Sequence, residues 1–253
     1  MNQNDLFDYH VTPRIRDYAF MKAAPTAEIM AAIPRTEQFI WDNNRILCSI
    51  SGGADSDIML DMVWRLDKER KVRYTFCDTG IEMEATKRQL AFLENKYGIK
   101  IETLHPKETV GAAVRKYGYP FHTKQFSEYI SRLQKHGFKW EDKTFDELYA
   151  EYPDCKAALR WWCNNWKDGP HKPMQSEIGS APYLKEFMIT HPPTFAISPK
   201  CCDCAKKRPS HISAKDADIT LIGIRKAEGG TRSTAYKSCF VDGKNGLQHF
   251  PLF

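Results

Sequence analysis

The segment that most constrains the fold is a short apolar stretch that leads through two adjacent glycines into a helical pattern. Arg45–Ile50 (RILCSI) predicts a buried strand, and the apolar residues of Asp57–Leu66 recur at helical spacing. Ser51–Ser56 (SGGADS) lies between them. Glycine lets a backbone turn tightly and approach a ligand closely, and N–H groups at the start of a helix favour anions. The segment therefore predicts a phosphate-binding loop between a strand and a helix.

The alternation of strand and helix continues along the chain. Further strands are predicted at Val72–Cys77, Ile99–Leu104 and Ile219–Ile224, and further helices at Thr36–Trp41, Glu84–Tyr97 and Lys107–Tyr117. Strands that alternate with helices are joined by right-handed crossovers, which produce a parallel sheet. We therefore expect an α/β fold with a parallel sheet and helices on both of its faces.

Two stretches depart from this alternation. Residues 1–34 are mixed in composition, contain three prolines and predict an N-terminal arm with short helices. Residues 121–200 carry helical segments, proline-rich links and four tryptophans: Trp140, Trp161, Trp162 and Trp166. We expect these tryptophans to form a hydrophobic core rather than to stack on a nucleotide base. The expected organisation is one α/β domain over residues 35–253, with a helical insertion at about residues 121–200.

Composition excludes some classes of protein and leaves others open. No apolar run reaches the length of about 18 residues that a membrane span needs, and the N-terminus has no apolar signal core. We therefore expect a cytoplasmic protein with no membrane partner, in which the eight cysteines are thiols or metal ligands rather than disulfides. A net charge of +5 suits a nucleotide or a nucleic acid but does not decide between partners.

The loop sequence itself narrows the chemistry. SGGADS lacks the GK[ST] ending of a Walker A loop and does not follow GxGxxG. It matches the signature SGGxDS and so resembles the PP-loop enzymes of the adenine nucleotide α-hydrolase-like superfamily. This resemblance implies cleavage of ATP between its α and β phosphates to form an adenylate. The Ser51 and Ser56 hydroxyls can donate to phosphate oxygens, whereas Asp55 would repel a phosphate and is expected to orient Mg²⁺.

A second group of polar residues follows the next predicted strand. Asp78, Thr79 and Gly80 come directly after Val72–Cys77. Ligands of open parallel sheets bind beyond the carboxyl ends of the strands, so Asp78 is expected beside the loop, where it can accept from a ribose hydroxyl or bind a metal. The alternative is a structural turn in which Asp78 or Thr79 caps the following helix.

Four segments resemble the phosphoadenosine phosphosulfate (PAPS) reductase family, including its uncharacterised bacterial and phage members: FCDTGIEMEA at residues 76–85, KYGYP at 116–120 with Lys124, KCCDCAKKRP at 200–209, and GIRKAE at 223–228 with Arg232. The likeness covers roughly residues 40–253. The family includes PAPS and APS reductases, DndC-like proteins of DNA phosphorothioation and the small subunit of bacterial ATP sulfurylase. One departure is Gly229, where the family usually has serine.

The resemblance implies a set of site residues. The nucleotide-binding residues are expected to be Ser51, Gly52, Gly53, Asp55, Ser56, Asp78, Thr79, Gly80 and Lys124, and the catalytic residues Asp55, Arg225 and Arg232. Each arginine presents a planar fork suited to bidentate oxyanion binding, and the alternative is a surface salt bridge, for instance to Glu228.

Four cysteines form a candidate metal set. Cys201, Cys202 and Cys204 lie within four positions among basic residues, and Cys239 follows downstream. Family members that hold an iron–sulfur cluster use such a vicinal pair, so the resemblance implies a cluster, or zinc, on these four residues. C-C-x-C is not the usual C-x₂-C zinc spacing. One alternative is a redox-active or sulfur-carrying thiol, and the other is three separate thiols, one buried and two idle.

The expected function is ATP-dependent formation of an adenylate in sulfur or nucleotide metabolism, with Mg²⁺ and the loop amides holding the leaving pyrophosphate. One alternative is a PAPS or APS reductase. Reductases of the family carry a catalytic cysteine in a C-terminal tail, and no cysteine follows Cys239 here, which disfavours that alternative. The other is a nucleotide-binding partner subunit of a sulfur-transfer or nucleic-acid-modification complex.

Overall fold

The computed structural model describes residues 27–165, 177–225, 237–243 and 246–253. These residues fall into two compact units. The α/β unit comprises the described residues up to Pro106 and from Arg208 onward, and the helical unit is formed from Lys107–Lys207. The helical stretch thus begins and ends outside the expected insertion at residues 121–200, and the α/β unit is discontinuous in sequence.

A six-stranded, mostly parallel sheet forms the centre of the α/β unit. Its strands are β1 Ile46–Ile50, β2 Val72–Cys77, β3 Ile101–Leu104, β4 Ile219–Ile222, β5 Phe240–Gly243 and β6 Gly246–His249. They lie in the order β3-β2-β1-β4-β6-β5, and only β5 runs antiparallel to its neighbour. The predicted α/β fold with a parallel sheet is therefore confirmed, and β5 and β6 are strands that the sequence pattern did not predict.

The α-helices, in chain order, are α1 Ala27–Asp42, α2 Ala54–Leu66, α3 Glu84–Tyr97, α4 Val110–Tyr117, α5 Lys124–Lys135, α6 Phe145–Glu151, α7 Lys156–Trp162, α8 Pro182–Thr190, α9 Lys200–Cys202 and α10 Arg208–Ala214. A π-helical segment, Asp203–Lys207, joins α9 to α10. Helix α1 crosses the expected boundary of the N-terminal arm at residue 34. The rest of that arm, residues 1–26, lies outside the described residues.

The core of the α/β unit lies where β1 and β2 meet helix α2. Cys48 on β1 and Leu60 and Val63 on α2 are fully buried. Fully burying an aliphatic side chain of this size contributes about 1.5–3 kcal/mol, so this contact is a main source of stability for the strand–loop–helix segment. Burial raises the pKa of the Cys48 thiol, which keeps it protonated and makes it a core residue, as expected.

The helical unit has its own aromatic core. Trp161 and Trp162 are fully buried, Trp140 is nearly so, and Phe126 meets Trp161 edge to face with ring centroids 4.9 Å apart. Trp162 donates its indole N–H to the backbone oxygen of Glu141 at 2.9 Å. These three tryptophans are core residues, as predicted, and Trp166 lies outside the described residues. None of the helices that the structure describes combines the length and the apolar character needed to cross a bilayer.

Candidate nucleotide phosphate site

Three loops of the α/β unit meet at one edge of the sheet. They follow β1, β2 and β4, and β1 lies between the other two strands. Because these strands are parallel, their carboxyl ends share an edge. The chain connects β1 to β2 on one side of β1, whereas β4 lies on its other side. A crevice therefore opens beside the carboxyl end of β1. Open α/β sheets bind ligands at such a point.

The phosphate loop, Ser51–Ser56, connects β1 to α2 across this edge. Gly53 is the N-cap residue of α2 and has an extended backbone. It has no side chain that could accept a hydrogen bond from the first N–H groups of the helix. The first N–H groups of this 13-residue helix therefore receive no side-chain acceptor at the cap. An N-terminus of this kind, with the positive end of the helix dipole, is suited to a phosphate group.

The two serines of the phosphate loop bond to each other. The buried Ser56 hydroxyl donates to the backbone oxygen of Gly53 at 2.8 Å, and it accepts from the N–H of Ser51 at 3.2 Å. The hydroxyl of Ser51, an exposed residue, donates to that of Ser56 at 3.1 Å. Ser56 thus holds the loop closed, and Ser51 is the exposed serine of the loop.

Two glycines permit the close packing around the loop. Gly52 has φ +72°, and a Cβ at this position would lie 2.9 Å from the Cγ2 atom of Thr86 on α3. Gly223, directly after β4, would place a Cβ 3.2 Å from the backbone oxygen of Asp55. The loop after β4 therefore passes directly against the start of α2, and a side chain at this position would require its neighbour to shift by a few tenths of an ångström. The close approach of Gly223 was missing from the predicted site, although it begins the quoted string GIRKAE.

Asp55 and Arg225 form an ion pair at this edge. The Nε of Arg225 lies 3.0 Å from the Oδ2 of Asp55, and the side chains are 53% and 30% exposed. Both were predicted to be catalytic, and the structure brings them together. The expected alternative partner of Arg225, Glu228, lies outside the described residues, as does the other predicted catalytic arginine, Arg232.

Asp78, Thr79 and Gly80 form a turn after β2. Asp78 accepts from the N–H of Gly80 at 2.9 Å through Oδ1, and the Thr79 hydroxyl donates to Glu82 at 2.7 Å. The N-cap of α3 is Met83, which makes no side-chain cap bond, so neither Asp78 nor Thr79 caps that helix. The turn is therefore organised by its own side chains at the carboxyl end of β2, beside the phosphate loop in the sheet order.

Asp57 is an acidic residue beside the loop that the sequence did not single out. Its Oδ2 accepts from Gln89 at 2.7 Å, while its Oδ1 is buried and has no hydrogen-bond partner among the described residues. Burial raises the pKa of this carboxyl, against the opposing bond from Gln89. Because Asp57 accepts from Gln89 on α3, we assign it to the support of α2.

Lys124 and three of the candidate cysteines belong to the helical unit. Lys124 is the first residue of α5 and is exposed. Cys202 is exposed, Cys201 is half-buried and Cys204 is buried. In the α/β unit, the thiol of Cys239 accepts from Arg35 at 3.1 Å. Among the residues that the structure describes, no three His, Cys, Asp or Glu side chains are grouped closely enough to hold a metal ion. The four-cysteine cluster stays a prediction.

Comparison with known proteins gives one family. No individual curated protein matches the sequence. The family model described as "Phosphoadenosine phosphosulfate reductase domain" matches residues 45–149, which include the phosphate loop, the turn after β2 and Lys124. Proteins of this family bind nucleotides, in keeping with an anion site at the edge of a mostly parallel sheet. The match over residues 45–149 supports membership of the phosphoadenosine phosphosulfate reductase family, within the adenine nucleotide α-hydrolase-like superfamily.

Proposed function

We propose that this chain binds ATP on the phosphate loop and cleaves it between the α and β phosphates, transferring the adenylyl group to an acceptor. The observation that carries the proposal is the N-terminus of α2, where Gly53 provides no side-chain cap and the nearby residue Ser51 is exposed. A loop whose hydrogen bonds are already formed needs no reorganisation when a phosphate arrives, which favours electrostatic stabilisation of charge that develops during reaction.

Arg225 is proposed to contact the nucleotide phosphates, because its ion pair with Asp55 holds it against the phosphate loop. A guanidinium donates through several N–H groups, so Arg225 can keep its bond to Asp55 and donate to a phosphate oxygen as well. Arg232 is proposed as a further contact on the basis of the family resemblance, and the role of Lys124 stays a prediction. Asp78 is proposed to accept from a ribose hydroxyl through Oδ2, since Oδ1 is occupied by Gly80.

Magnesium fits the residues that the α/β unit supplies. Mg²⁺ is commonly held by one or two carboxylates together with substrate phosphates, so a larger cluster of protein ligands is not required. Asp55, in the first turn of α2, is proposed to hold it. When bound, the ion neutralises the charge of a departing pyrophosphate. The protein itself orients the phosphates through the loop amides and Arg225.

A PAPS or APS reductase is a second candidate, favoured by one observation. Such an enzyme needs a nucleophilic thiol, and Cys202 is the exposed member of the described cysteines. Of the four candidate thiols, Cys204 is buried and shielded from a substrate, which leaves Cys202 and the half-buried Cys201 and Cys239 as possible nucleophiles.

The test is one assay with ATP and with PAPS, each in the presence and absence of thioredoxin. Release of pyrophosphate from ATP with Mg²⁺, lost in Asp55→Asn, supports the proposal. Release of sulfite from PAPS, with no pyrophosphate from ATP and with dependence on Cys202, overturns it in favour of the reductase. Turnover in neither arm, with ATP still bound, favours the third hypothesis, a partner subunit that acts only within a complex.

A further inference from the structure

A groove of about 400 Å³ lies on the surface of the helical unit, between helix α5 and the segment 193–197, which forms one of its walls. This volume lies near the lower end of the range that small-molecule sites occupy, about 300–1,000 Å³. Among the residues that line the groove, Ile197 is buried, whereas Phe195 is 50% exposed. The groove therefore has room for a small ligand, and none of its residues belongs to the proposed nucleotide site.

Hydrogen bonds on both sides hold the wall of the groove in place. The Gln134 side chain donates to the backbone oxygen of Phe195 at 2.8 Å and accepts from the N–H of Ile197 at 2.9 Å. From the other side, the N–H of Tyr119 donates to the backbone oxygen of Ala196, also at 2.9 Å. A wall that is already bonded does not have to be ordered by a ligand, which lowers the cost of binding.

The two sides of the groove differ in their chemistry. On α5, Ser131 and Lys135 line the groove one helical turn apart, so they lie on the same face of the helix. Within the described part of the chain, no ion pair or side-chain hydrogen bond engages the Ser131 hydroxyl or the Lys135 ammonium. The wall contributes Pro193 and Phe195. Two free donors opposite an apolar wall suit a ligand with an anionic end and a flat apolar body.

The charges around Tyr117, which also lines the groove, are mostly positive. The ammoniums of Lys116 and Lys200 lie 5.0 and 4.8 Å from the centre of its ring. Its hydroxyl donates to Glu108 at 3.2 Å, and that carboxylate is ion-paired with Lys116. Because Glu108 and Lys116 offset each other, Lys200 and Lys135 leave an excess of positive charge. This excess favours an anion over a cation in the groove.

We propose that the groove binds a small aromatic acid, a flat ring that carries a carboxylate or a phosphate group. The ring packs against Pro193 and Phe195, while Ser131 and Lys135 donate to the anionic group. This site goes beyond the proposed function, which uses only the loops of the α/β unit. Two sources share this chemistry, an aromatic carboxylic acid and a nucleoside monophosphate, and binding measurements distinguish them.

The first measurement is a ligand-detected NMR titration of the full chain with Gly53→Val, which is expected to block the proposed nucleotide site. Benzoate and AMP are compared with acetate, inorganic phosphate and adenosine, each of which lacks either the ring or the charge. We expect benzoate or AMP to bind roughly tenfold more tightly than these three, and the tighter of the two identifies the source of the ligand. Binding of neither, or equal binding of the ring-free anions, overturns the proposal.

The second measurement removes one donor and one part of the wall. Lys135→Gln is expected to weaken the tighter-binding probe by roughly tenfold, because a charge-assisted hydrogen bond is lost, and Phe195→Ala by a similar factor. Both residues are exposed, so the Tm is expected to stay near the wild-type value. Lys135→Arg keeps most of the affinity. Lys156→Gln, at an exposed position outside the groove, is the matched control. Equal affinity in Lys135→Gln and Lys156→Gln contradicts the proposal.

The third measurement locates the ligand by photolabelling with para-azidobenzoate, followed by mass spectrometry. We expect the label on residues 131–135 and 193–197, with less of it in the presence of the tighter-binding probe and in Lys135→Gln, but not in Lys156→Gln. Labelling that is spread over the surface and insensitive to Lys135→Gln excludes a site in the groove. Because no step of this test uses ATP cleavage, failure of the proposed function and failure of this site give different results.

Discussion

The Nε of Arg225 lies 3.0 Å from the Oδ2 of Asp55, and this contact joins the loop after β4 to the phosphate loop after β1. The pair is partly exposed, so its contribution to stability is small, about 0.2–1 kcal/mol. The main effect of this ion pair is to fix the position of the Arg225 side chain. It places a guanidinium beside the N-terminus of α2, at the point where Gly223 already brings the two loops together.

Arg225→Gln is expected to weaken ATP–Mg²⁺ binding by roughly tenfold, because one charge-assisted hydrogen bond to phosphate is lost. Arg225→Lys recovers only part of this, since an ammonium lacks the planar fork. Calorimetric titration with ATP–Mg²⁺ measures the affinity of both variants. Arg45→Gln is the matched control, because it breaks a comparable pair with Asp218 at the amino end of β1. Unchanged affinity in Arg225→Gln would remove Arg225 from the site.

Gly53→Val and Gly52→Ala are expected to separate binding from folding. A Cβ on Gly53 meets only the Ser51 hydroxyl, at 3.6 Å, so Gly53→Val keeps the fold while its side chain blocks the anion site. Gly52→Ala combines a positive φ with a 2.9 Å approach to Thr86, so it lowers Tm as well. Thermal melting and ATP titration of both variants check this. Full ATP affinity in Gly53→Val would show that the nucleotide binds elsewhere.

Gly223→Ala is expected to reduce nucleotide affinity with little effect on Tm. The added methyl group presses on the backbone oxygen of Asp55 at 3.2 Å and must displace the start of α2 by a few tenths of an ångström. Gly243→Ala serves as the control, because its Cβ meets only the flexible side chain of Val241 at 3.6 Å. Similar behaviour of the two variants in an ATP titration would contradict the role of the close approach.

Stability is expected to fall with acidification because of His249. This residue is buried, its Nδ1 bonds the backbone oxygen of Cys239 at 2.8 Å, and its Nε2 lies 3.0 Å from the Thr36 hydroxyl. Burial, with a smaller contribution from the charge of Arg35, lowers the pKa of His249 to about 4, although the bond to Cys239 opposes the shift. The unfolded chain therefore binds a proton below its ordinary pKa of 6.5, while the folded chain does not.

The stability contributed by neutral His249 is fully present above pH 6.5 and is lost as the pH falls toward 4, by about 2–3 kcal/mol. Urea unfolding at several pH values measures this. His249→Gln is expected to be less stable at neutral pH but to lose less on acidification, whereas His105→Gln, at an exposed position, keeps the wild-type pH dependence. Parallel curves for wild type and His249→Gln would contradict the assignment.

The proposed metal cluster has a direct test. If Cys201, Cys202, Cys204 and Cys239 hold iron and sulfide, anaerobically purified protein is brown, and Cys204→Ser loses both the colour and the iron. Cys163→Ser, a half-buried cysteine of the helical unit outside this set, retains them. Colourless wild-type protein without iron or zinc leaves the redox-thiol hypothesis.

The phosphate loop and the strands around it could be predicted from sequence because their signals are local. Arg45–Ile50 is apolar enough to be a buried strand, and the glycines of SGGADS require a turn where the helical pattern begins. Strands β5 and β6 escaped prediction for the opposite reason. Each has four residues, and β5 at the sheet edge is largely exposed, so neither carries the apolar run or the alternation that marks a strand.

The sequence by itself determined the α/β fold, the position of the phosphate loop and the resemblance to the PAPS reductase family. Only the tertiary structure decided which of the predicted residues meet. It paired Arg225 with Asp55 and brought Gly223 against α2. The physical reason is that hydrophobic periodicity and glycine turns act between residues close in the chain, whereas these contacts join segments far apart in it. Such pairs depend on how the packed strands and helices place their ends, and that information is not present in any short stretch of sequence.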